Sequence, residues 1–320
     1  MKMGSATKEN GMKRAVLALI FLGLCAVSVL PQGRGRKETS ALAGPYLGQK
    51  PPGMVPEMFA PGLLPADRDF HSCPVFSKDG DCVFWRTMNS PRGDGVYYME
   101  RKNGRWTGPR RARFVDQDAD VPYFPYDNQT LFFISKSASG GIRKRRIWFT
   151  RRTDGKWEEP KCLAAFDPPI DWLHWQFTFS SRGNIYFTGI QKNGFGDYDL
   201  FVATKVGASY SYKILPEPLN SGGSDVCPYC APDESYLIFC STDRKEGFGK
   251  GDLYICYKRI DGKWTDPVNM GPQINSPAQE WCPMVSKDGR YLFFLSFRSG
   301  RCRPYWVSAK IIDALRPKER

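Results

Sequence analysis

The chain has 320 residues, of which 41% are hydrophobic and 14% aromatic. That excludes general disorder and suits one large all-β domain or two small ones. The formal net charge of +13 lies almost half in the first 37 residues, and beyond residue 37 the balance is 39 basic against 32 acidic residues, a net +7. Such an excess spread over a surface serves solubility, and no stretch interleaves aromatic and basic residues as a nucleic-acid platform does, so nucleic acid is not an expected partner.

In chain order, Lys2, Lys8, Lys13 and Arg14 precede an uncharged run over residues 15–30. A basic start followed by a short apolar stretch is the layout of a secretory signal or an N-terminal anchor over residues 1–30. Ala26-Val27-Ser28 offers a small-residue cleavage site, while Leu24 before Cys25 spoils a lipoprotein-type box. The expected location is therefore periplasmic or extracellular, with a membrane tether if the segment stays. Residues 31–54 are rich in Gly and Pro and read as a linker. Met58-Phe59-Ala60 then resembles a lone strand.

The remaining chain repeats one unit, clearest over residues 224–275. Four short runs of aromatic and β-branched residues, at 227–230, 236–241, 252–258 and 264–270, alternate with turn chemistry such as Asp261-Gly262. Four antiparallel strands in about fifty residues is the size of a propeller blade. Aligned on Pro228, further copies begin at Pro74, Pro122 and Pro283, with Gln176 replacing Pro in a fifth. Trp106, Trp157 and Trp264 each follow a Gly turn and stand three residues before a Pro, which marks them as structural. The last copy lacks its fourth strand, and the strand near Met58 is spare. The expected fold is thus an all-β propeller over residues 55–315, with five four-stranded antiparallel blades (alternatively six) and a ring closed by the N-terminal strand. A charged tail follows at 316–320.

Two motifs carry a resemblance. Glu280, Pro283, Ser286, Asp288 and Gly289 run into Tyr291-Leu292-Phe293-Phe294. A Gly-x-Gly-x-x-Asp-Leu-aromatic pattern occurs at Gly194, Gly196, Asp199, Leu200, Phe201 and again at Gly247, Gly249, Asp252, Leu253, Tyr254. Over about residues 55–312 the repeat resembles the TolB-type, WD-repeat-like β-propeller repeats of bacterial envelope proteins. That resemblance implies architecture and leaves activity open, because such repeats serve very different hosts.

The segment leading into each first strand carries polar or aromatic residues: Asp69 and His71; Asp118 and Asp120; Asp171, Trp172 and His174; Asp225; and Glu280 with Trp281. Related places in five blades would put these residues around one mouth of the channel. There they would bind a protein, a peptide or a small ligand, and mutual repulsion of the acids would favour a cationic one. The plainer reading is that the acids cap turns and hold blade to blade. A ring of carboxylates also keeps a carbohydrate-active hydrolase open, against which stand only two His and the absence of a Gly-x-Ser-x-Gly elbow. The preferred reading is a non-catalytic binding scaffold.

No cofactor is expected. Cys227-x-x-Cys230 has no second pair at zinc-site spacing, and the Gly-rich loops precede strands rather than phosphate-binding helices. Cys73, Cys227 and Cys282 share one repeat position and could converge on the channel; the other cysteines are scattered like small buried hydrophobes. The Arg143-Lys144-Arg145-Arg146 run reads as an exposed hairpin tip.

Overall fold

A computed structural model describes residues 43–317, apart from 65–67, 90–92, 117, 126, 128, 137–144 and 171 and the side chain of His174. The described residues belong to one compact unit, Ser40–Arg320. The proposed signal or anchor and the very end of the tail lie outside them.

Five antiparallel sheets follow one another along the chain, so the five-bladed propeller expected from the repeat is the fold. Blade three is the most regular: Trp172–Phe179, Ile185–Ile190, Asp199–Val206 and Ser209–Ile214 pair in sequence order. Blade four follows as Asp225–Cys230, Tyr236–Ser241, Asp252–Tyr257 and Val268–Asn269. Blades one and two obey the same order with their outer strands broken into short pieces, and the innermost strand of blade one is split into Asp69–Phe70 and Val75–Phe76.

Blade five supplies Glu280–Val285, Tyr291–Ser296 and Arg303–Ser308, and its fourth strand is Glu57–Met58 from the other end of the chain. Glu57 pairs with Trp306 and Met58 with Tyr305, and the amide of Phe59 donates to the Pro304 carbonyl at 2.8 Å. This pairing satisfies backbone groups that would otherwise form an open sheet edge.

The linker expectation runs too far. Tyr46 and Leu47 are buried, so residues 43–54 are part of the body. The Tyr46 hydroxyl donates to Asp288 at 2.7 Å, and its ring meets Phe76, Tyr291, Phe293 and Trp306. Trp106 donates its indole N–H to the Gly44 carbonyl at 2.8 Å. The sequence hides this strap because Gly and Pro flank its two anchoring residues.

Apolar side chains from neighbouring blades pack as one core with a smaller cluster between blades three and four. Trp106 is buried within the main one, whereas Trp157 and Trp264 are half-buried at their clusters' edges. The Gly-x-Gly loops also serve packing. A Cβ on Gly196 would strike the Gly223 carbonyl, and one on Gly249 the carbonyls of Ser276 and Ala278. Asp199 holds its loop by accepting from the amides of Phe195 and Gly196.

In four blades the innermost strand carries a β-bulge beside the aligned Pro or Gln, between Asp120 and Tyr123, His174 and Phe177, Val226 and Tyr229, and Trp281 and Met284. The bulged residues Val121, Trp175, Cys227 and Cys282 adopt φ of 42°, 45°, 56° and 51°. Left-handed backbone costs a non-glycine residue on the order of 1–3 kcal/mol. A bulge bends its strand and re-aims the side chain it carries.

Candidate binding site at the channel mouth

The alignment on Pro conceals an offset that decides which acids reach the channel. Asp225 and Glu280 stand three residues before their Pro and pair across the ladder with Ser241 and Ser296. Asp120 and Trp281 stand two before it and pair with Ile134 and Leu295. A shift of one residue along a strand sends a side chain to the opposite face.

Asp225 and Glu280 are accordingly fully buried beside the blade junctions. Asp225 accepts from the amide and hydroxyl of Ser221 at 2.6 and 2.8 Å, from the Ser241 hydroxyl at 2.5 Å and from Arg244 at 3.0 Å. Glu280 repeats the arrangement with Ser276, Ser296 and Arg298. Each arginine is stacked on two rings, Arg244 on Phe239 and Tyr254, Arg298 on Phe294 and Tyr305. Each also donates to carbonyls of the segment leading in from the preceding blade, Arg244 to Pro218 and Leu219 and Arg298 to Ile274. These acids are centres of blade-to-blade clamps, not open carboxylates at a common mouth. The mutual repulsion expected of them does not arise, because each has its own guanidinium.

The residues that do converge are His71, Asp120 and Trp281. His71 Nδ1 lies 2.8 Å from Asp120 Oδ1, and Arg145 reaches the second carboxylate oxygen at 2.9 Å. Arg86 adds an ion pair at 3.3 Å. Burial would raise the Asp120 carboxyl, but His71, Arg86 and Arg145 together outweigh it and hold the group well below the usual carboxylate range.

The His71 ring stands edge-on to Trp281 at 5.6 Å, Trp281 meets Trp175 at 6.0 Å, and Trp175 leans on Tyr198 at 5.0 Å. Blades three and five are not neighbours in a ring of five, so the Trp175–Trp281 contact spans the axis. Trp175, Tyr198 and His71 remain partly exposed, the His71 side chain by 16%. The mouth is therefore an aromatic saddle with a guanidinium edge.

Just inside it the channel is closed. Gln176 donates through Nε2 to the carbonyls of Pro283 at 2.7 Å and Pro228 at 3.3 Å, which gives a reason for Gln where other blades have Pro. The void beside it, lined by Cys73, Val121, Gln176 and Met284 among others, has a volume of about 10 Å³, room for a single water. The opposite mouth is crossed by Lys287 of blade five, which reaches the Tyr123 ring at 4.4 Å and the Pro125 carbonyl of blade two at 3.4 Å.

Among the other expected site residues, Asp69 is half-buried, accepting from the Cys302 amide at 3.1 Å, and Asp118 is exposed. Trp172 is half-buried in the first strand of blade three. Asp171 and the His174 side chain fall outside the described residues. Trp175, Tyr198, Arg86 and Arg145 were not singled out by the sequence. A signal existed for Arg145, within the basic run read as a hairpin tip; it begins strand Arg145–Thr153 and turns inward, while Arg146 pairs with Asp167.

No protein-family model matches the chain, and no curated protein does. Among solved structures it is similar to a glycoside hydrolase at 14% identity, covering 86% of this chain and 94% of that one with a TM-score of 0.52. It is also similar to the putative TolB from Agrobacterium tumefaciens, at 16% identity, 70% and 69% coverage and a TM-score of 0.46. The endo-arabinase from Bacteroides thetaiotaomicron stands at 15% identity, 76% and 94% coverage and a TM-score of 0.46. The likeness at these identities is one of fold alone, and a shared fold leaves activity open.

Proposed function

We propose that this chain is an exported, non-catalytic β-propeller that binds a protein, peptide or small ligand at the mouth formed by His71, Asp120, Trp175 and Trp281. The observation that carries this reading is the fate of the carboxylates. A glycosidase needs two carboxyl groups facing each other across open space, whereas Asp225 and Glu280 are buried against hydroxyls and arginines and Asp120 is held by three basic groups. Partly exposed rings beside two guanidiniums suit recognition instead.

Because the acids are already neutralised, the partner should offer the saddle an apolar or aromatic group and an acidic one, rather than the cation that a bare carboxylate ring would have favoured. Export rests on the basic-then-apolar N-terminus; no helix of the described residues is long and apolar enough to cross a membrane.

Partner capture from envelope extracts, compared between the parent and Trp175→Ala with Arg145→Gln, tests the proposal. Loss of a specific partner by variants that remain folded, with weaker capture at high salt, is the expected result. Turnover of aryl glycosides that disappears in Glu280→Gln while the variant melts like the parent would instead establish the hydrolase reading.

A further inference from the structure

The mouth leaves unused a group of thiols beneath it. Nine cysteines lie among the described residues, and all are free. Cys227 and Cys282 hold the same repeat position in adjacent blades four and five, each at its bulge with left-handed backbone. Their Sγ atoms are 3.5 Å apart, about van der Waals contact, and both residues are fully buried. Cys282 Sγ also approaches the His71 carbonyl of blade one at 3.8 Å. Cys73 is close enough to influence both. Among the described residues no group of three or more His, Cys, Asp or Glu side chains could hold a metal ion.

We infer that Cys227 and Cys282 form an interblade disulfide when the chain folds in the presence of a small-molecule disulfide such as oxidised glutathione. The two sulfurs belong to neighbouring strands and need to close by about 1.5 Å to reach bonding distance. No other cysteine pair is seen in such contact among the described residues. One cysteine thiolate attacks the small disulfide, giving a mixed disulfide and expelling one thiolate; the second cysteine thiolate attacks the protein-side sulfur, forming the Cys227–Cys282 bond and expelling the other. The cysteines are oxidised by two electrons, the small disulfide is reduced by two, and the two protons end on the released thiols. The reaction belongs to folding, before blade five docks, because in the native protein the thiols are closed to solvent and burial pushes the Cys282 thiol well above its usual range. The bond would tie the blade that the N-terminal strand completes to the one before it. This inference does not depend on the mouth being a binding site.

Refolding the protein in a glutathione redox buffer, blocking free thiols and digesting with trypsin tests it. Peptide 264–287, whose sole cysteine is Cys282, should be joined to peptide 214–244, with fragment ions placing the bond at Cys227. The oxidised protein should melt higher than the reduced one, and Cys282→Ser should remove that difference. Native protein exposed to the same buffer should react at least tenfold more slowly. Recovery of both cysteines as blocked free thiols from the refolded wild type, or a bond from Cys282 to Cys73 or Cys302, would overturn the inference without requiring any variant to fold.

Discussion

At the scale of single residues, the sharpest electrostatic conflict sits at the mouth opposite the saddle. Lys287 arises from a Ser-Lys-Asp-Gly turn that also occurs in blade one, where Lys78 is exposed. In blade five the side chain lies over Tyr123, and burial pushes its ammonium down to about 7. In the unfolded chain a lysine titrates near 10.4. Between those values the unfolded state binds the additional proton, so stability rises with pH across that window. Below about pH 7 both states are protonated, and the full cost of burying the charge is present. Urea unfolding of the parent should therefore show a gain from pH 7 toward pH 10 that Lys287→Met lacks, and Lys287→Met should be the more stable protein at pH 6. Parallel pH profiles for the two proteins would refute the assignment.

At the scale of elements, the sequence made the blades legible and half-concealed the clamps between them. Strand alternation, Asp-Gly turns and the Trp-x-x-Pro ends are local chemistry, which a linear reading captures. Which face an acid takes depends on ladder register, and the bulge beside the aligned Pro hides a one-residue offset between Asp120 and Asp225. The role of Arg244 was equally hidden, since its partners are brought together only by folding: Asp225, the carbonyls of Pro218 and Leu219, and the rings of Phe239 and Tyr254. Removing one member of a buried ion pair costs about 3–5 kcal/mol, because the other is left buried without its counter-charge. Arg244→Met should cost that much in denaturant unfolding, and Arg244→Met with Asp225→Asn clearly less. The positive coupling expected from such a cycle is absent if Asp225 is an independent ligand-facing acid, in which case the two costs would add.

At the scale of the whole molecule, a propeller is stable only as a closed ring, and here the closure is made twice by one N-terminal segment. Glu57–Met58 completes blade five, while Tyr46 and Phe59 insert into a set of rings from blades one and five that includes Phe76, Phe293 and Trp306. The missing fourth strand at one end and the spare strand at the other foretold the pairing. The Tyr46 contacts could not be foreseen, because a tyrosine among Gly and Pro gives no periodicity. Deleting residues 43–64 would open the edge of Arg303–Ser308 and strip two aromatic anchors from a dry cluster. Exposed, unpaired strand edges are templates for association, and loss of a buried aromatic side chain alone costs about 3–5 kcal/mol. The truncated protein should elute as aggregates or melt far below the parent. A synthetic peptide of residues 43–64 added in trans should restore a monomeric elution volume, and the same peptide with Phe59→Ala and Tyr46→Ala should not. A truncated chain that stays monomeric and melts like the parent would mean that the ring is held by its blade-to-blade clamps alone.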